Sequence, residues 1–372
     1  MTKLPDDDPR KWKYSEHTRA KHEILTQYLD AWYSILGSSR AKQLIILDGF
    51  AGRGRYTDGE AGSPALIHDA AVRAVARGVA QQITILCSEA NPSNFESLQQ
   101  VTSELDRCDG VDVRTRREEF AAAGGRMAEW LSRRGGSIPT FVFIDPFGFT
   151  GVPLETIKAL LAVEHVEVLL TFMARDMSRF LTLESVEAPL TEFFGGAAWR
   201  QCTQPEQSAR TECLLLRYQE VIIQPKIALF ATPFRVLEDA RQATLYYLVH
   251  LTNHPLGMRR MKEAMVSYAA DMTFWPITRR PRDQLALDVS EGEPWPSLQE
   301  HLLNTYRGRS LTFEQLLNED YPQGVWIQKQ YRSAVLDLER RDDAPLWVTR
   351  GRSTPSGRAP RGLKHTDIVK FG

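Results

Sequence analysis

Five short apolar runs in the first half of the chain alternate with segments of helical periodicity, and this alternation constrains the fold more than any other feature. Strands that alternate with helices pair in parallel, and the helices cover both faces of the resulting sheet. The sequence therefore predicts an α/β fold. The predicted strands are Leu44–Leu47, Ile83–Cys87, Val111–Thr115, Thr140–Ile144 and Val166–Phe172.

The chain around this sheet is expected to be largely helical. Apolar residues at spacings of three and four predict an N-terminal helix from Ser15 to Leu36, with Ser15 able to cap its first turn. Residues 177–194 and 211–221 are predicted to form a helical insertion. The apolar run Thr244–Thr252 is predicted to complete the sheet, so that Asn253-His254-Pro255 ends it at the ligand-binding edge.

The composition changes after Phe274, where a stretch rich in proline and charge begins. Such a stretch is typical of a linker, which we assign to residues 276–296. It separates an α/β domain of residues 1–275 from a C-terminal domain of residues 297–372. The C-terminal domain contains three helical patterns and two short strands, which predict a winged helix-turn-helix.

Composition sets limits on the function. The 372 residues carry a net charge of −1, with 42% hydrophobic and 25% charged residues, so any basic surface must be local. The four cysteines contain no CxxC pair, which argues against a metal site and predicts buried thiols in a reducing compartment. The N-terminus has no apolar core of a signal peptide, and no apolar run reaches the ~20 residues that span a bilayer. A cytoplasmic location is expected.

The first predicted strand runs into the loop Asp48-Gly49-Phe50-Ala51-Gly52-Arg53-Gly54. Glycines at such a bend let backbone N–H groups approach a ligand. Neither GxGxxG nor GxxxxGK[ST] is present, so a pyrophosphate loop is not indicated. An acid before the glycines suits a ligand that carries a positive charge beside a nucleoside.

Acidic residues also follow the second and third strands. Glu89 ends the second strand, where a carboxylate can bind two ribose hydroxyls; the competing interpretation is a helix cap, which Asn91 or Ser93 could provide instead. Glu118 or Glu119 follows the third strand, where an acid could hold an adenine amino group, and Glu119 is the residue that we assign.

The fourth strand ends in Asp145-Pro146-Phe147-Gly148. The Asp145 carboxylate and the carbonyls beside Pro146 can accept hydrogen bonds from an NH₂ group, which prepares its nitrogen for attack on an electrophilic methyl group. Phe147 or Phe149 could stack on the ring that bears this amine. Asp-Pro is also common turn chemistry, and this alternative stays open.

Together these three elements resemble the class I S-adenosylmethionine-dependent methyltransferases. DGFAGRG resembles their DxFxGxG loop, and DPFG resembles the (D/N)PP(Y/F) motif of enzymes that methylate exocyclic amines of bases. The resemblance implies that Asp48, Phe50, Ala51, Gly52 and Gly54 hold the methionine part of S-adenosylmethionine, and that Asp145, Pro146 and Phe147 act in catalysis. The departures are Phe147 where many members have proline and Gly148 where many have the aromatic residue.

A closer resemblance, over most of the chain, is to the three-Cys-motif partner family. It is carried by EHTRAKHEIL, DGFAGRGRYTDGEAGSP, FIDPFGFTG and YYLVHLTNHPLGMRRMK, in that order. The resemblance implies a Rossmann-like class I methyltransferase sheet with an attached winged helix. It also implies a partner that is a radical-S-adenosylmethionine-like protein.

Further residues are candidates for substrate contact. His17 and Lys21 form an i, i+4 pair on one helix face, and Arg53 and Arg55 lie in the glycine loop. In the C-terminal domain, a loop with five basic residues and no acid could follow phosphates; the arginines that we assign there are Arg350, Arg352 and Arg358. Each group could instead be merely solvated. Ser63 is expected to cap the helix that begins at Pro64.

Three functions are consistent with these features. The first is a methyltransferase that acts on an amine, in particular an exocyclic amine of a nucleobase in DNA or RNA. The second is a non-catalytic protein that binds nucleic acid or protein and serves the radical-S-adenosylmethionine-like partner. The third is a Rossmann oxidoreductase, against which the incomplete GxGxxG argues.

Overall fold

The protein is described from a computed structural model, which covers residues 13–38, 43–136, 138–238, 243–269, 272–274, 298–322, 326–341, 345–350 and 362–372. The chain forms two compact units, residues 1–279 and 280–372. The predicted linker at residues 276–296 lies outside the described residues.

The larger unit contains nine described α-helices around one sheet. The strands are β1 Gln43–Asp48, β2 Gln82–Ser88, β3 Val111–Arg116, β4 Thr140–Ile144, β5 Val166–Phe172, β6 Phe230–Leu237, β7 Thr244–Thr252 and β8 Thr273–Phe274. The helices are α1 Glu16–Ser38, α2 Ser63–Ala76, α3 Pro92–Ser103, α4 Phe120–Ser132, α5 Leu154–Leu161, α6 Ala174–Phe180, α7 Glu187–Phe194, α8 Gln207–Ile223 and α9 Pro255–Tyr268. Short 3₁₀ helices at Glu184–Val186 and Ala198–Gln201 complete the insertion between β5 and β6.

The strand order in the sheet is β3-β2-β1-β4-β5-β7-β6-β8. Strands β1 to β5 are parallel, and β7 runs antiparallel to both β5 and β6. The order 3-2-1-4-5 is that of a Rossmann-like sheet, and the antiparallel strand β7 lies next to the fifth strand. The predicted fold class, including the helical insertion, is confirmed for this unit.

The two faces of the sheet pack against different helices. Alternate side chains of β1, β4 and β5 form a hydrophobic core with α4, α5 and the insertion, in which Ile45, Val142 and Val168 are buried. On the opposite face α1 packs on α2 and α9, and the centroid of the Tyr28 ring of α1 lies 5.4 Å from that of Phe141 in β4. Helix α1 therefore crosses the sheet from one strand end toward the other.

Strand β6 is the longest strand that the sequence does not predict. Pro233 lies in its middle and lacks the N–H that a central strand needs. In the structure Pro233 pairs with Val249 of β7, whereas β8 pairs only with Arg235 and Val236. The proline is tolerated because the outer side of β6 at Pro233 is not paired with another described strand.

The direction of β7 corrects a second expectation. Because β7 is antiparallel to β5, its last residue, Thr252, pairs with Glu167 near the start of β5. The turn after β7 therefore lies at the edge opposite to the carboxyl ends of the parallel strands. His254 caps α9 there, and its side chain accepts a hydrogen bond from the Leu256 N–H.

The cysteines differ from the prediction of four free thiols. Cys202 and Cys213 form a disulfide that joins the end of the second 3₁₀ helix to α8. The pairing depends on tertiary contact across 11 positions of the chain, which the spacing alone does not disclose. Cys87 is a buried free thiol, and Cys108 is free and half-buried.

The smaller unit contains three helices and a three-stranded antiparallel sheet. The helices are α10 Leu298–Thr305, α11 Phe313–Asp320 and α12 Gln328–Glu339. The strands are β9 Ser310–Thr312, β10 Leu346–Thr349 and β11 Ile368–Phe371, in the order β10-β11-β9. The sequence predicts the helices and the last two strands; β9 is additional. Within the described residues of both units, no helix is long and apolar enough to span a bilayer.

Candidate functional site

Three acidic side chains lie at the carboxyl ends of neighbouring strands. Asp48 is the last residue of β1, Glu89 directly follows β2, and Asp145 directly follows β4. The strand order reverses between β1 and β4, and ligands bind at such a reversal in doubly wound sheets. The sequence predicts one site for these residues, and the structure brings all three to the same sheet edge.

Asp48 is fully buried below the glycine loop. Its Oδ2 accepts a hydrogen bond of 2.7 Å from the Ser63 hydroxyl, and its Oδ1 lies 3.4 Å from the Phe50 backbone N–H. Burial raises the pKa of Asp48 to about 7, although the Ser63 hydrogen bond opposes this. Ser63 is thus a site residue that the sequence assigns only as a helix cap; Gly62 occupies the cap position instead.

The glycine loop turns sharply and is fixed against β2. Gly52 and Gly54 have positive φ values of 61° and 76°, a backbone conformation that favours glycine. The Ala51 N–H donates to the Ser88 carbonyl at 2.9 Å. Phe50 packs on Phe120 below the loop, with 5.8 Å between the ring centroids. The loop therefore has a defined path at the ends of β1 and β2.

Glu89 lies where the glycine loop meets the end of β2. Burial raises its pKa, and hydrogen bonds from backbone N–H groups, including those of Asn91 and Gly52, act in the opposite direction. The Asn91 N–H donates to Glu89 Oε1 at 2.7 Å. Asn91 itself caps α3 by accepting from the Asn94 N–H, so Glu89 is not needed as the cap of that helix.

The two acids after β3 have different surroundings. Both oxygens of Glu118 accept hydrogen bonds from the Arg126 guanidinium. Glu119 is exposed at the start of α4 and makes no side-chain cap hydrogen bond. The Glu118 N–H donates to the Glu89 carbonyl at 3.2 Å, which holds this loop beside the end of β2. Of the two acids, Glu119 has the carboxylate that is open to a ligand.

The segment after β4 turns its two phenylalanines in opposite directions. Pro146 is buried and Gly148 has a φ of 92°. Phe147 is 52% exposed, whereas Phe149 is 1% exposed and belongs to the hydrophobic core. The predicted stacking of Phe149 on a substrate ring does not fit this burial, because core packing already covers the ring. Phe147 is the accessible aromatic residue of the motif.

Helix α1 brings Lys21 to Asp145. The buried Lys21 ammonium donates to Asp145 Oδ2 in a partly buried ion pair and lies 5.9 Å from the centroid of the Tyr246 ring. The Tyr246 hydroxyl donates to the His17 carbonyl at 2.6 Å. His17 and Lys21 thus lie on the side of α1 that faces Tyr246, and Lys21 is engaged with Asp145 rather than presented to solvent.

Three aromatic rings beside Lys21 form a cluster that the sequence does not predict. Tyr56, two residues after the glycine loop, lies 5.2 Å from Tyr14 and 5.9 Å from His22, measured between ring centroids. His22 is buried, and its burial together with the nearby Lys21 charge lowers its pKa to about 3. The ring is therefore neutral at physiological pH. The sequence shows Tyr56 close to the glycine loop and His22 next to Lys21. The contact between the two rings cannot be predicted from it, because that contact depends on where α1 packs.

The loop arginines occupy two environments. Arg55 is exposed and lies 3.4 Å from a carboxylate oxygen of Glu104. Arg53 is half-buried, and its backbone carbonyl accepts a hydrogen bond of 3.1 Å from the Ser97 hydroxyl. Among the described residues, no ion pair to the Arg53 guanidinium is found.

The predicted basic loop of the smaller unit is only partly described. Arg350 donates through two nitrogens to both carboxylate oxygens of Glu339 and is partly buried. This bidentate pair fixes the Arg350 side chain to α12. Arg352 and Arg358 lie outside the described residues.

Comparisons with known proteins give only distant likenesses. No family model and no curated protein matches the chain. A Legionella pneumophila protein of the DUF519 family is 14% identical, covering 67% of this chain and 91% of its own, with a TM-score of 0.42. An O-methyltransferase from Bacillus cereus in complex with SAH is 13% identical, covering 61% and 80%, with a TM-score of 0.32. The SAH-bound Podospora anserina methyltransferase is 11% identical, covering 68% and 82%, with a TM-score of 0.29. These identities and TM-scores are too low to indicate a reaction. The fold assignment rests on the strand order of the sheet.

Proposed function

We propose that the larger unit is an S-adenosylmethionine-dependent methyltransferase that acts on an amine. The observation that carries this proposal is the convergence of Asp48, Glu89 and Asp145 at the ends of β1, β2 and β4, beside a glycine turn. A sulfonium donor is cationic, and an edge with three acids and one buried cation suits a positive ligand better than a pyrophosphate. The methyltransferase-like strand order supports the same reaction class.

The residues that would hold the cofactor are those of the first three strand ends. Phe50, Ala51, Gly52 and Gly54 would face its methionine part, Glu89 would accept from the ribose hydroxyls, and Glu119 would accept from the adenine amino group. Asp48 would act from below by fixing the loop through Ser63 and Phe50. When bound, S-adenosylmethionine supplies an electrophilic methyl group on a positively charged sulfur.

The residues that would hold the acceptor are those of the fourth strand end. Asp145 and the carbonyls beside Pro146 would accept the two N–H bonds of an amine and direct its lone pair toward the methyl group. The exposed Phe147 ring supports an aromatic amine, because it could stack on the ring that bears the nitrogen. We therefore propose an exocyclic amine of a nucleobase as the acceptor class.

The smaller unit would recruit this acceptor. Its three helices and antiparallel strands are consistent with a winged helix-turn-helix, and the basic segment that begins at Arg350 supports contact with phosphates. The Arg350 guanidinium is already paired with Glu339, which favours the other arginines of this segment for such contacts. We propose that Arg352 and Arg358 make the phosphate contacts.

A second candidate is a non-catalytic subunit that binds nucleic acid or protein beside a radical-S-adenosylmethionine-like partner, as in the family that the sequence resembles. The observation that favours it is the Lys21 ammonium on Asp145. A carboxylate that is permanently held in an internal ion pair would not serve an external amine.

Calorimetry with S-adenosylmethionine and S-adenosylhomocysteine tests the proposal first. Binding of both, followed by donor-dependent methylation of a nucleic acid detected by mass spectrometry of its nucleosides, is the expected result. Asp145→Ala should abolish methylation while S-adenosylhomocysteine still binds. Absence of binding to well-folded protein would contradict the methyltransferase assignment and favour the non-catalytic subunit.

A further inference from the structure

The Lys21 nitrogen has the chemistry and the contact that the proposed acceptor must have. It is a primary amine, and it donates to Asp145 Oδ2, the oxygen that would accept from a substrate NH₂ group. Both partners are largely covered, with 10% of the Lys21 side chain and 21% of the Asp145 side chain exposed. A surface ion pair of little consequence would leave both groups in water.

The position of Asp145 places this amine beside the glycine loop. Asp48 pairs with Phe143 in the sheet, and the Gly49 N–H donates to the Phe143 carbonyl at 2.9 Å. Asp145 is two residues beyond Phe143, so it lies next to the start of the loop. Tyr56, two residues after that loop, lies 5.9 Å from the His22 ring of α1, measured between ring centroids.

We propose that Lys21 is a self-methylation site of this protein, an internal amine held where an external acceptor nitrogen would bind. This inference rests on the proposed function, since it requires the same methyl donor. The ammonium first gives up a proton, for which Asp145 is the carboxylate in contact and water the final acceptor. The nitrogen lone pair then forms the N–CH₃ bond as the methyl–sulfur bond breaks, and the bonding pair leaves with sulfur as neutral S-adenosylhomocysteine.

The modified side chain would keep its place. Methylation preserves the positive charge of lysine, so the pair with Asp145 can re-form. An external acceptor must displace Lys21 from Asp145, and it would therefore compete with the self-methylation. Lys21 therefore fills the acceptor position when no substrate is bound.

The test uses the full-length protein and a donor with a deuterated methyl group, which separates new modification from any acquired during expression. After incubation, peptide mass spectrometry should find one deuterated methyl group on Lys21. Lys158, which pairs with Glu155 on the exposed surface of α5, is the matched lysine that should stay unmodified. Lys21→Arg keeps the charge opposite Asp145 and should remove the label.

A binding measurement adds a readout that does not depend on turnover. If the Lys21 ammonium lies at the acceptor position, it repels the sulfonium of S-adenosylmethionine but not the neutral sulfur of S-adenosylhomocysteine. Lys21→Gln should therefore shift the ratio of the two affinities several-fold toward S-adenosylmethionine. The matched variant Lys158→Gln should leave the ratio unchanged.

The outcomes separate this inference from the proposed function. Failure of the wild-type protein to bind S-adenosylhomocysteine would overturn both. Binding without a deuterated methyl group on Lys21, or an unchanged affinity ratio in Lys21→Gln, would overturn the self-methylation site alone.

Discussion

Helix α1 contacts one carboxylate at each edge of the parallel strands, the buried Glu167 and the half-buried Asp145, and their surroundings differ. At the start of β5, Glu167 accepts from the Tyr28 hydroxyl at 2.6 Å, the Trp32 indole N–H at 3.2 Å, and His250 at 3.0 Å. At the end of β4, Asp145 has Lys21 as its ion-pair partner and is more exposed. Donors surround the first carboxylate, whereas the second retains acceptor capacity beside the glycine loop.

This difference separates a structural carboxylate from a candidate functional one. Burial raises the pKa of Glu167, but the hydrogen bond and charge of His250, with the bonds from Tyr28 and Trp32, outweigh it and the pKa is lowered. Glu167 is thus stabilised in its charged form by its own fold. Asp48, below the loop, shows the opposite balance, since burial outweighs its hydrogen bonds. Burial raises the pKa of Asp48 and of Glu89 at this edge, so a cationic ligand would stabilise their charged forms.

The largest stability effect should come from the Glu167 cluster. Glu167→Ala leaves three buried donors without their acceptor and should lower the free energy of unfolding of the larger unit by about 3–5 kcal/mol. Glu155→Ala removes an exposed carboxylate paired with Lys158 and should cost about 0–1 kcal/mol. Urea unfolding of both variants checks the contrast, and equal losses would remove the structural role of Glu167.

The Glu167 contribution should also depend on pH in a defined direction. Its folded-state pKa is lowered from the ordinary value of 4.5, so its contribution is present above that value and is lost as the pH falls through the folded-state pKa. The difference in stability between wild type and Glu167→Ala should therefore shrink in acid. A difference that grows in acid would contradict the lowered pKa.

Asp48 should give the next largest effect, with the reverse sign. Its folded-state pKa of about 7 exceeds the ordinary value of 3.8, so the folded state binds a proton more tightly and wild-type stability falls as the pH rises between these values. Asp48→Asn keeps an acceptor for Ser63 but cannot ionise. From pH 5 to pH 8 it should gain roughly 2–3 kcal/mol relative to wild type. Parallel stability curves would contradict the raised pKa.

Removing the Ser63 hydroxyl should have a smaller effect. Ser63→Ala deprives the buried Asp48 of its 2.7 Å hydrogen bond and should cost about 1–2 kcal/mol at pH 7. Ser103→Ala is the matched control, because its exposed hydroxyl bonds only a carbonyl of its own helix. Thermal unfolding of the two variants measures the difference; similar values would mean that Ser63 does not support the site.

The smallest effect is expected at the rim of the loop. Arg55 makes one exposed ion pair with Glu104 at 3.4 Å, and such pairs contribute about 0–1 kcal/mol. Arg55→Ala should leave both stability and S-adenosylhomocysteine affinity nearly unchanged. A large loss of affinity would assign Arg55 to the site and extend the functional edge outward.

The sequence predicts the centre of the sheet better than its margins. β4 and β5 begin and end where the apolar runs do, because both strands are buried on two faces. The sequence does not predict β6, because Pro233 disfavours a strand unless the outer side of β6 is known to be unpaired at that position. The direction of β7 cannot be read from its apolar pattern, and the disulfide between Cys202 and Cys213 depends on how the insertion folds.

In the candidate site, too, the sequence predicts the features that depend on local sequence and not those that depend on packing. Asp48, Glu89 and Asp145 are recognisable because each directly follows an apolar strand in the local sequence. Ser63 on Asp48, Lys21 on Asp145 and the meeting of His22 with Tyr56 depend on where α1 and α2 pack. Phe147 and Phe149 are two residues apart, and only the turn at Gly148 shows which ring is exposed.

A cofactor site at the ends of β1 and β2 is the central element of the proposed function, and Glu89 is the residue that tests it most directly. Calorimetry should show that the wild-type protein binds S-adenosylhomocysteine and that Glu89→Gln weakens binding by about ten- to a hundredfold, since a charged acceptor of the ribose hydroxyls is lost. Glu155→Gln, which changes an exposed carboxylate paired with Lys158, should bind like wild type. No binding by the wild-type protein, or equal affinity in Glu89→Gln, would contradict the account.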